Sequence, residues 1–293
     1  TRYIILLEGH GYQNTLTPRM LIYGMNIITD TLKRITINPT ELCNRTCPFC
    51  PRADSTVYPN RSLHMSIETA KKINRDAKSI SFTGEVYITG FGEPLLHNNI
   101  CDIIECMANG NNYQNLTMVT NGDRLTRDIV INLKSSGVTN IVVSMYDGPH
   151  QQSRLADIIR DDIPVTFRER YYSLGSKDNY GIENINNRSG LTVTGEIDEP
   201  LDKPCYIPFN KCQIDWNGDI LICDQDWGRR GIVGNINDTS IGDVWVSEKM
   251  RAYREKLLDS NRCMSPCSTC DVAGDVYGKE SFDVFRQFYS ESA

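Results

Sequence analysis

The sequence predicts an α/β fold in which a barrel-like parallel domain is followed by a small cysteine-rich domain. Short apolar strand candidates alternate with longer helical patterns as far as about residue 200, which is typical of βα units and a parallel sheet. From Leu201 onward the pattern changes to paired cysteines and a hairpin signal, Asn217-Gly218, between apolar strands. The 293 residues are enough for such a large domain and a smaller partner.

The individual elements follow from the periodicity of the apolar residues. The strand candidates are short apolar runs, and the helix candidates repeat apolar residues at spacings of three and four. Gly137 is a stop signal after the third helix. The predicted strands are residues 34–38, 86–90, 115–120, 140–145 and 163–167, and the predicted helices are 66–78, 98–108, 126–137 and one around 245–258.

The change of pattern divides the chain into three segments. Residues 1–33 form an N-terminal extension to which the sequence assigns no role. Residues 34–200 contain the alternating strands and helices, and residues 201–293 contain the second set of cysteines. We expect the boundary beside the motif DEPLDKP, near residue 200.

Composition narrows the classes of partner and compartment. The net charge is −6, the isoelectric point is about 5.3 and the basic residues form no dense run, so a nucleic-acid partner is not expected. No apolar run approaches the roughly 18–20 residues of a membrane span, so no membrane association is expected either. Eleven cysteines without a secretory leader favour a cytoplasmic protein whose thiolates bind metal.

The motif ELCNRTCPFC carries the first chemical signal. Cys43, Cys47 and Cys50 lie on one short loop directly after the first strand, with three and then two residues between them. A structural zinc site needs a fourth ligand, usually from another pair of cysteines or histidines. An iron–sulfur cluster held by three thiolates instead keeps one iron open for another ligand. A zinc knuckle or a fortuitous trio remains the alternative interpretation.

A glycine-rich motif, GFGEPLLH at residues 90–97, follows the second strand. Glycine allows the backbone to approach a ligand closely. Such a loop alone is more often an ordinary strand-to-helix turn. Polar residues also follow later strands, and in a parallel barrel the chemistry lies at these strand ends. They are Asn121, Ser144 and Arg168.

Together these motifs resemble those of the radical S-adenosylmethionine (radical SAM) superfamily. The resemblance implies a partial (β/α)6 TIM-like barrel, with a [4Fe–4S] cluster held by Cys43, Cys47 and Cys50. S-adenosylmethionine would be the fourth ligand and would supply a 5′-deoxyadenosyl radical. The resemblance also implies that the cofactor is contacted by the aromatic residue of the cysteine motif, the glycine-rich loop and the strand ends: Phe49, Gly92, Glu93, Asn121, Ser144 and Arg168.

The C-terminal cysteines predict a second, closed site. Two of its four thiols, Cys205 and Cys223, flank the hairpin signal, and Cys267 and Cys270 form a C-x2-C pair. Spacing alone allows zinc or a fully ligated iron–sulfur cluster. The arrangement resembles the SPASM and shorter twitch domains of radical SAM enzymes. Six cysteines in this region favour the one-cluster twitch form, hence two [4Fe–4S] clusters in total, although Cys212 or Cys263 could replace a ligand.

Longer motifs, including TNGDRLT, NNRSG and CSTC, are similar to those of superfamily members that dehydrogenate an aminocyclitol. This similarity implies oxidation of a carbinol in a sugar, aminocyclitol or polyol, with the second cluster as electron acceptor. It implies a catalytic role for Arg188 and a flavodoxin- or ferredoxin-type reductant. Two positions depart from the pattern, because Gln225 replaces an acid and Phe91 replaces a tyrosine.

Two alternatives remain open at this stage. A peptide-modifying radical SAM enzyme, an epimerase or crosslinking maturase, also fits a SPASM-like domain. The few residues before the first strand leave little room for a peptide-recognition domain. A nonenzymatic zinc or electron-transfer module would not need the glycine-rich loop.

Overall fold

The computed structural model describes residues 27–170, 186–192 and 195–291. An eight-stranded sheet in the order β5-β4-β3-β2-β1-β6-β7-β8 forms the centre of this part of the chain. The strands from β5 to β6 in that order are parallel, whereas β6, β7 and β8 pair antiparallel. Their bounds are β1 Arg34–Ile37, β2 Glu85–Ile88, β3 Asn115–Thr120, β4 Asn140–Met145, β5 Val165–Glu169, β6 Lys211–Ile214, β7 Asp219–Leu221 and β8 Ile232–Asn235.

Helices follow the first four strands and surround the C-terminal hairpin. Their N-termini are capped where the sequence offers a hydroxyl, as at Ser66, whose side chain accepts a hydrogen bond from the Thr69 amide. The helices of the described residues are α1 Ile27–Thr31, α2 Ile67–Ser79, α3 Ile100–Ala108, α4 Arg127–Ser135, α5 His150–Ile159, α6 Ile207–Asn210, α7 Ile241–Trp245, α8 Glu248–Leu258 and α9 Lys279–Ser290. The predicted α/β class is confirmed.

The sixth parallel strand comes from the C-terminal segment. β6 pairs in register with β1, with Arg34 opposite Lys211 and Ile37 opposite Ile214. The sheet therefore continues past residue 200 into the cysteine-rich region. The hairpin predicted at Asn217-Gly218 joins β6 to β7, and Gly218 has a φ of 89°, a left-handed value that favours glycine.

Several helices differ from the sequence predictions, since α1, α5, α6 and α7 have no predicted counterpart. The helix predicted around 245–258 corresponds to α8, which begins later because Ser247 has an extended backbone and its side chain caps α8 by accepting a hydrogen bond from the Met250 amide. Helix α9 was not predicted, although Phe282 and Phe285 recur at helical spacing and both rings contact Phe209 of α6. An amphipathic signal was therefore present in the sequence of α9.

The N-terminal extension is described only from residue 27, so residues 1–26 lie outside the described residues. Helix α1 belongs to the core. Ile27 and Leu32 are buried, and the Trp245 indole donates a hydrogen bond to the Thr31 hydroxyl over 2.9 Å. Among the described residues, none of the helices is both long and apolar enough to cross a bilayer.

Candidate active site

One cavity of about 230 Å³ opens at the carboxyl ends of β1–β5. All ten residues predicted for the first cluster, the cofactor and catalysis line it, together with other aromatic and basic side chains. The lining residues are Cys43, Arg45, Cys47, Phe49, Cys50, Arg52, Thr89, Gly90, Phe91, Gly92, Glu93, Val119, Thr120, Asn121, Ser144, Tyr146, Arg168, Arg170, Arg188 and Trp227. The structure therefore brings these ten residues together around one cavity, and their roles there remain a prediction.

The first three cysteines lie on the loop between β1 and α2. Asn60 fixes the start of this loop, because it accepts a hydrogen bond from the Cys43 amide and donates one to the Cys43 carbonyl, over 2.9 and 2.8 Å. The Cys50 amide donates to the Cys47 carbonyl over 2.9 Å, which folds the loop back on itself. Burial, and then the nearby Cys50 and Cys43, raise the pKa of the Cys47 thiol to about 12. The three thiols therefore lie close enough to disfavour one another's ionisation unless a cation or cluster is present.

Arg45, within the cysteine motif, anchors the loop to two strand ends. Its guanidinium donates to Asp123, after β3, over 2.6 Å and to Asp147, after β4, over 2.8 Å. Asn44 also donates to Asp123, over 2.6 Å. These bonds hold the cysteine loop over the open end of the sheet.

The glycine-rich loop packs directly against the cysteine loop. A Cβ on Gly92 would collide with the carbonyl oxygens of Thr40 and Leu42, so only glycine fits. The Glu93 amide donates to the Leu42 carbonyl over 2.8 Å. This packing of the glycine-rich loop against the cysteine loop is a physical reason for glycine at position 92.

The Glu93 side chain is buried and fully hydrogen-bonded. It accepts from the Thr120 hydroxyl over 2.6 Å, from the Asn121 amide over 2.7 Å and from the Leu95 amide over 3.1 Å. Burial nevertheless raises the pKa of this carboxyl to about 7. A cationic ligand beside Glu93 would favour the ionised form.

An aromatic pair and two polar residues form the side of the cavity at β4 and β5. Phe49 stacks on Tyr146 with ring centroids 5.7 Å apart. Ser144 and Arg168 face each other in the register of β4 and β5. Tyr146 was not predicted, but it follows β4 directly, so the rule that located Asn121 could also have located Tyr146.

Arg188 approaches the cavity from a strained turn. Its φ is 49° and that of Ser189 is 55°, both in the left-handed region that non-glycine residues rarely adopt. The guanidinium donates to the amide oxygen of Gln225 over 2.8 Å and lies 5.9 Å from the ring centroid of Trp227. Arg188 is thus held over an aromatic ring by a neutral acceptor.

The turn around Arg188 is bound to the C-x2-C segment. Asn187 donates from its side chain to the Thr269 carbonyl over 2.7 Å and from its backbone to Asp271 over 2.8 Å. The Thr269 hydroxyl donates to the Ser189 carbonyl over 2.9 Å. Because Thr269 lies between Cys267 and Cys270, Arg188 is positioned by the second cysteine site.

The second site gathers four thiols from three segments. Cys223 and Cys270 are buried, and Cys205 and Cys267 are partly buried. Burial and the neighbouring thiols raise the pKa of Cys267 to about 12, and burial raises that of Cys205 to about 11. A Cβ on Gly274 would collide with the Cys205 sulfur, so the chain packs closely around this thiol.

Arg262 holds this second site together. It is almost completely buried, and it donates to the carbonyl oxygens of Lys203 over 2.9 Å and Pro204 over 3.0 Å. It also donates to the Val272 carbonyl over 2.5 Å. Its charge favours the thiolate forms of Cys205, Cys267 and Cys270. No local sequence pattern indicated this role, because the carbonyls belong to two segments distant in sequence.

The remaining cysteines lie elsewhere. Cys212 is buried on β6 within the apolar core, whereas Cys263 is exposed. Cys101 and Cys106 of α3 pack against the apolar core.

The donor chemistry of both sites fits iron–sulfur clusters. Three thiols beside the packed loop of Gly92 and Glu93 could hold a cluster and a cationic cofactor at one edge of the cavity. Cys205, Cys267 and Cys270 lie near Arg262, and Cys223 lies near Cys267 and Cys270, so the four thiols together could ligate a cluster completely.

Comparison with known families identifies the class. The family model of the radical SAM superfamily matches residues 37–191, and that of the SPASM iron–sulfur cluster-binding domain matches residues 205–271. The chain belongs to the radical SAM superfamily. It is therefore an enzyme that uses S-adenosylmethionine and [4Fe–4S] clusters, and the predictions of superfamily, enzymatic class and cofactors are confirmed.

Individual relatives extend this similarity along most of the chain. The S-adenosyl-L-methionine-dependent 2-deoxy-scyllo-inosamine dehydrogenase of Niallia circulans is 24% identical over 250 residues, which are 85% of this chain and 96% of the relative. The GTP 3′,8-cyclase of Cronobacter sakazakii is 28% identical over 123 residues, 40% of this chain and 36% of the cyclase.

Solved structures show the same fold. BtrN in complex with AdoMet and 2-DOIA superposes with a TM-score of 0.71 at 23% identity, over 85% of this chain and 97% of BtrN. Streptococcus suis SuiB bound to the precursor peptide SuiA superposes with a TM-score of 0.56 at 18% identity, over 84% of this chain and 71% of SuiB.

Proposed function

We propose that this enzyme dehydrogenates a carbinol carbon of a small hydroxylated molecule, such as a sugar, an aminocyclitol or a polyol. When bound, the cofactors supply a 5′-deoxyadenosyl radical for hydrogen abstraction and a second cluster that takes up an electron. The observation that carries the proposal is the placement of Arg188. It lines the cavity of the first site while its turn is hydrogen-bonded to the C-x2-C segment of the second.

Within this proposal the cysteines divide into two ligand sets. Cys43, Cys47 and Cys50 would hold the first cluster, and Cys205, Cys223, Cys267 and Cys270 would hold the second. Cys212 would not be a ligand because it packs in the apolar core, and Cys263 would not be one because it is exposed. This assignment corresponds to a one-cluster twitch form of the C-terminal domain.

The cofactor would bind between the cysteine loop and the strand ends. Glu93, with its oxygens turned towards the ends of β3, would receive the cofactor's ammonium group, and Gly92 would allow the close approach. Arg168 would receive the carboxylate, because it lines the cavity and opposite charges attract. Phe49, Asn121 and Ser144 would contact the adenine and ribose.

Arg188 would stabilise negative charge that develops on the substrate oxygen. A guanidinium stays protonated in proteins, so it donates hydrogen bonds rather than accepting a proton. Its fixed turn and its hydrogen bond to Gln225 keep the group in one orientation, which favours charge stabilisation without reorganisation.

The proposal extends to the surroundings of the enzyme. A flavodoxin- or ferredoxin-type protein would supply the first electron, and the enzyme would act in the cytoplasm, without a nucleic-acid partner. We also propose the domain bounds 34–200 for the partial barrel and 201–293 for the auxiliary-cluster domain, which supplies β6 to the sheet of the barrel.

An anaerobic substrate panel tests the reaction class. Reconstituted enzyme is incubated with S-adenosylmethionine, a reductant, and either polyols and aminocyclitols or candidate peptides, and 5′-deoxyadenosine and products are measured by mass spectrometry. We expect a two-hydrogen loss from one of the hydroxylated molecules, with one 5′-deoxyadenosine per product. A modified peptide instead, with no oxidised polyol, would favour a peptide-modifying enzyme.

A further inference from the structure

The cavity is lined by many more cations than anions. Five arginines line it, but Glu93 is the one carboxylate among its lining residues in the described part of the chain. Two of the five arginines are already bound to other groups of the protein. Arg45 is paired with Asp123 and Asp147, and Arg52 donates to the Phe91 carbonyl over 2.8 Å. The other three arginines are Arg168 on β5, Arg170 directly after it and Arg188 on its turn, so positive side chains outnumber negative ones in the lining.

The carboxylate of Glu93 cannot balance this excess. Its oxygens already accept three hydrogen bonds on the opposite side of the cavity, from Thr120, Asn121 and Leu95. Arg168 lies on β5, and Arg170 directly follows the end of this strand. Burial, and then the charge of Arg170, lower the pKa of Arg168, as expected for neighbouring like charges.

Arg188 has neutral partners within the described residues. Its guanidinium donates to the amide oxygens of Gln225 and Asn186, over 2.8 and 3.2 Å. The nearby carboxylate, Asp224, is occupied by Lys211 over 2.6 Å and by the Gln225 amide nitrogen over 3.0 Å. Gln225 therefore lies between Arg188 and Asp224. The charge of Arg188 still contributes to lowering the pKa of Asp224, but its hydrogen bonds go to neutral amides, so the guanidinium can also bind an anionic ligand.

We propose that the substrate presents an anionic group, a carboxylate or a phosphate, to Arg188. This inference rests on the proposed function, in which Arg168 receives the carboxylate of the cofactor and Arg188 remains for the substrate. A guanidinium binds both anions through parallel hydrogen bonds, and the Trp227 ring restricts its orientation. The amino group of an inosamine, the substrate named for the Niallia circulans relative, would face repulsion at this position.

The test uses four sugars that differ in one group. Binding of D-glucose, D-glucosamine, D-glucuronate and D-glucose 6-phosphate to the reconstituted, S-adenosylmethionine-loaded enzyme is measured anaerobically by calorimetry. We expect at least one anionic sugar to bind about 10- to 100-fold more tightly than glucose, as for a charge-assisted hydrogen bond, and glucosamine to bind most weakly. The glucuronate and phosphate arms distinguish the two anions.

Three variants connect the preference to Arg188. Arg188→Gln should abolish the preference for the anion, and Gln225→Glu should reduce it by placing a carboxylate against the guanidinium. Arg251→Gln, the same charge change in an exposed pair with Glu255 on α8, should leave the preference intact. Iron content and circular dichroism confirm that each variant remains folded and loaded.

Several outcomes would overturn the inference. Equal binding of the four sugars, including no binding of any, would mean that Arg188 balances the charge of the cluster sites instead. Tighter binding of glucosamine, or a preference that survives in Arg188→Gln, would have the same consequence. Failure of the proposed function appears differently, as an absence of oxidised product in the substrate panel, whichever sugar binds.

Discussion

The two cysteine sites of this molecule differ in how their thiols are supplied. The first takes three thiols from one loop of eight residues, and all three are partly exposed beside the cavity. The second takes four thiols from three segments, two of them buried, around the internal Arg262. A local loop with one ligand missing suits a centre that must bind another molecule. A site assembled from distant segments suits a centre that only exchanges electrons.

The largest effect should come from the first site. Replacing Cys43, Cys47 and Cys50 with alanine should abolish formation of 5′-deoxyadenosine, because no ligand set for the first cluster remains. Iron should fall from about eight per chain to about four, since each cube contains four irons. Chemical iron analysis and chromatography of the nucleoside provide the measurements.

The single replacements Cys212→Ala and Cys263→Ala are the matched controls for this iron count. Each should retain about eight irons. About twelve irons in the parent enzyme would contradict the one-cluster C-terminal domain and favour a full SPASM domain.

Loss of the second cysteine site should leave 5′-deoxyadenosine formation intact and stop formation of the oxidised product. In the Cys267→Ala, Cys270→Ala double variant, 5′-deoxyadenosine should still form, but the oxidised product should not, because the acceptor for the substrate electron is missing. Both compounds are measured in the same anaerobic reaction with a confirmed substrate. One oxidised product per 5′-deoxyadenosine at the parent rate would refute the acceptor role.

The ion pairs that join the C-terminal region to the start of the cysteine loop can be tested by their contribution to the free energy of unfolding. Arg229 forms an ion pair with Glu41, which lies next to the cysteine loop. It forms a second ion pair with Asp215, which follows β6, over 2.5 Å. Both carboxylates are buried. Glu41 also pairs with Arg52 over 3.7 Å, whereas Asp215 would lose its ion pair, so Arg229→Gln should lower the free energy of unfolding by about 3–5 kcal/mol through the buried charge of Asp215. Denaturant unfolding followed by circular dichroism measures this change.

The exposed pair Arg251–Glu255 on α8 provides the comparison for that variant. Arg251→Gln should cost about 0.3–0.5 kcal/mol, as is usual for a surface pair one helical turn apart. Equal costs for the two arginines would show that the contact at Arg229 contributes little.

The smallest effect should come from Glu93. Glu93→Gln should weaken S-adenosylmethionine binding by about 1.5–3 kcal/mol and leave the iron content unchanged, because one charge-assisted hydrogen bond is lost. Since burial raises the pKa of Glu93 to about 7, the parent carboxyl becomes ionised as the pH rises through that value. Parent affinity should therefore increase from pH 6 to pH 8, and the affinity of the variant should not follow it. Equilibrium dialysis at several pH values makes the measurement.

Residues could be placed from the sequence when the motif that identifies them lies within one short segment of the chain. The position of Cys43, Cys47 and Cys50 on one loop could be predicted from their spacing, and the position of Glu93 from the strand before its motif. The role of Glu93 as a cofactor contact was implied only by resemblance. Arg188 was indicated only by resemblance to other proteins, since nothing around it forms a periodic pattern.

Longer-range features gave no such signal. Residues between 211 and 214 read as part of a hairpin, and nothing in their sequence indicated a parallel partner at the start of the barrel. Trp227 reaches the cavity from the loop after Cys223, and it packs against Phe91 with ring centroids 4.8 Å apart. Such contacts depend on three-dimensional packing that a single sequence does not show.

The pairing of β6 with β1 also has a consequence for biosynthesis. At the end of this strand pair, the side chain of Asn38 donates a hydrogen bond to Asp215. The two residues are 177 positions apart in the chain. While the chain is being made, β1 has no neighbour on that side, although Ile35 and Ile37 are fully buried in the finished sheet. An unpaired apolar edge of this kind is prone to pair with other chains. The nascent enzyme therefore passes through an aggregation-sensitive interval that closes only when the segment at 211–214 leaves the ribosome.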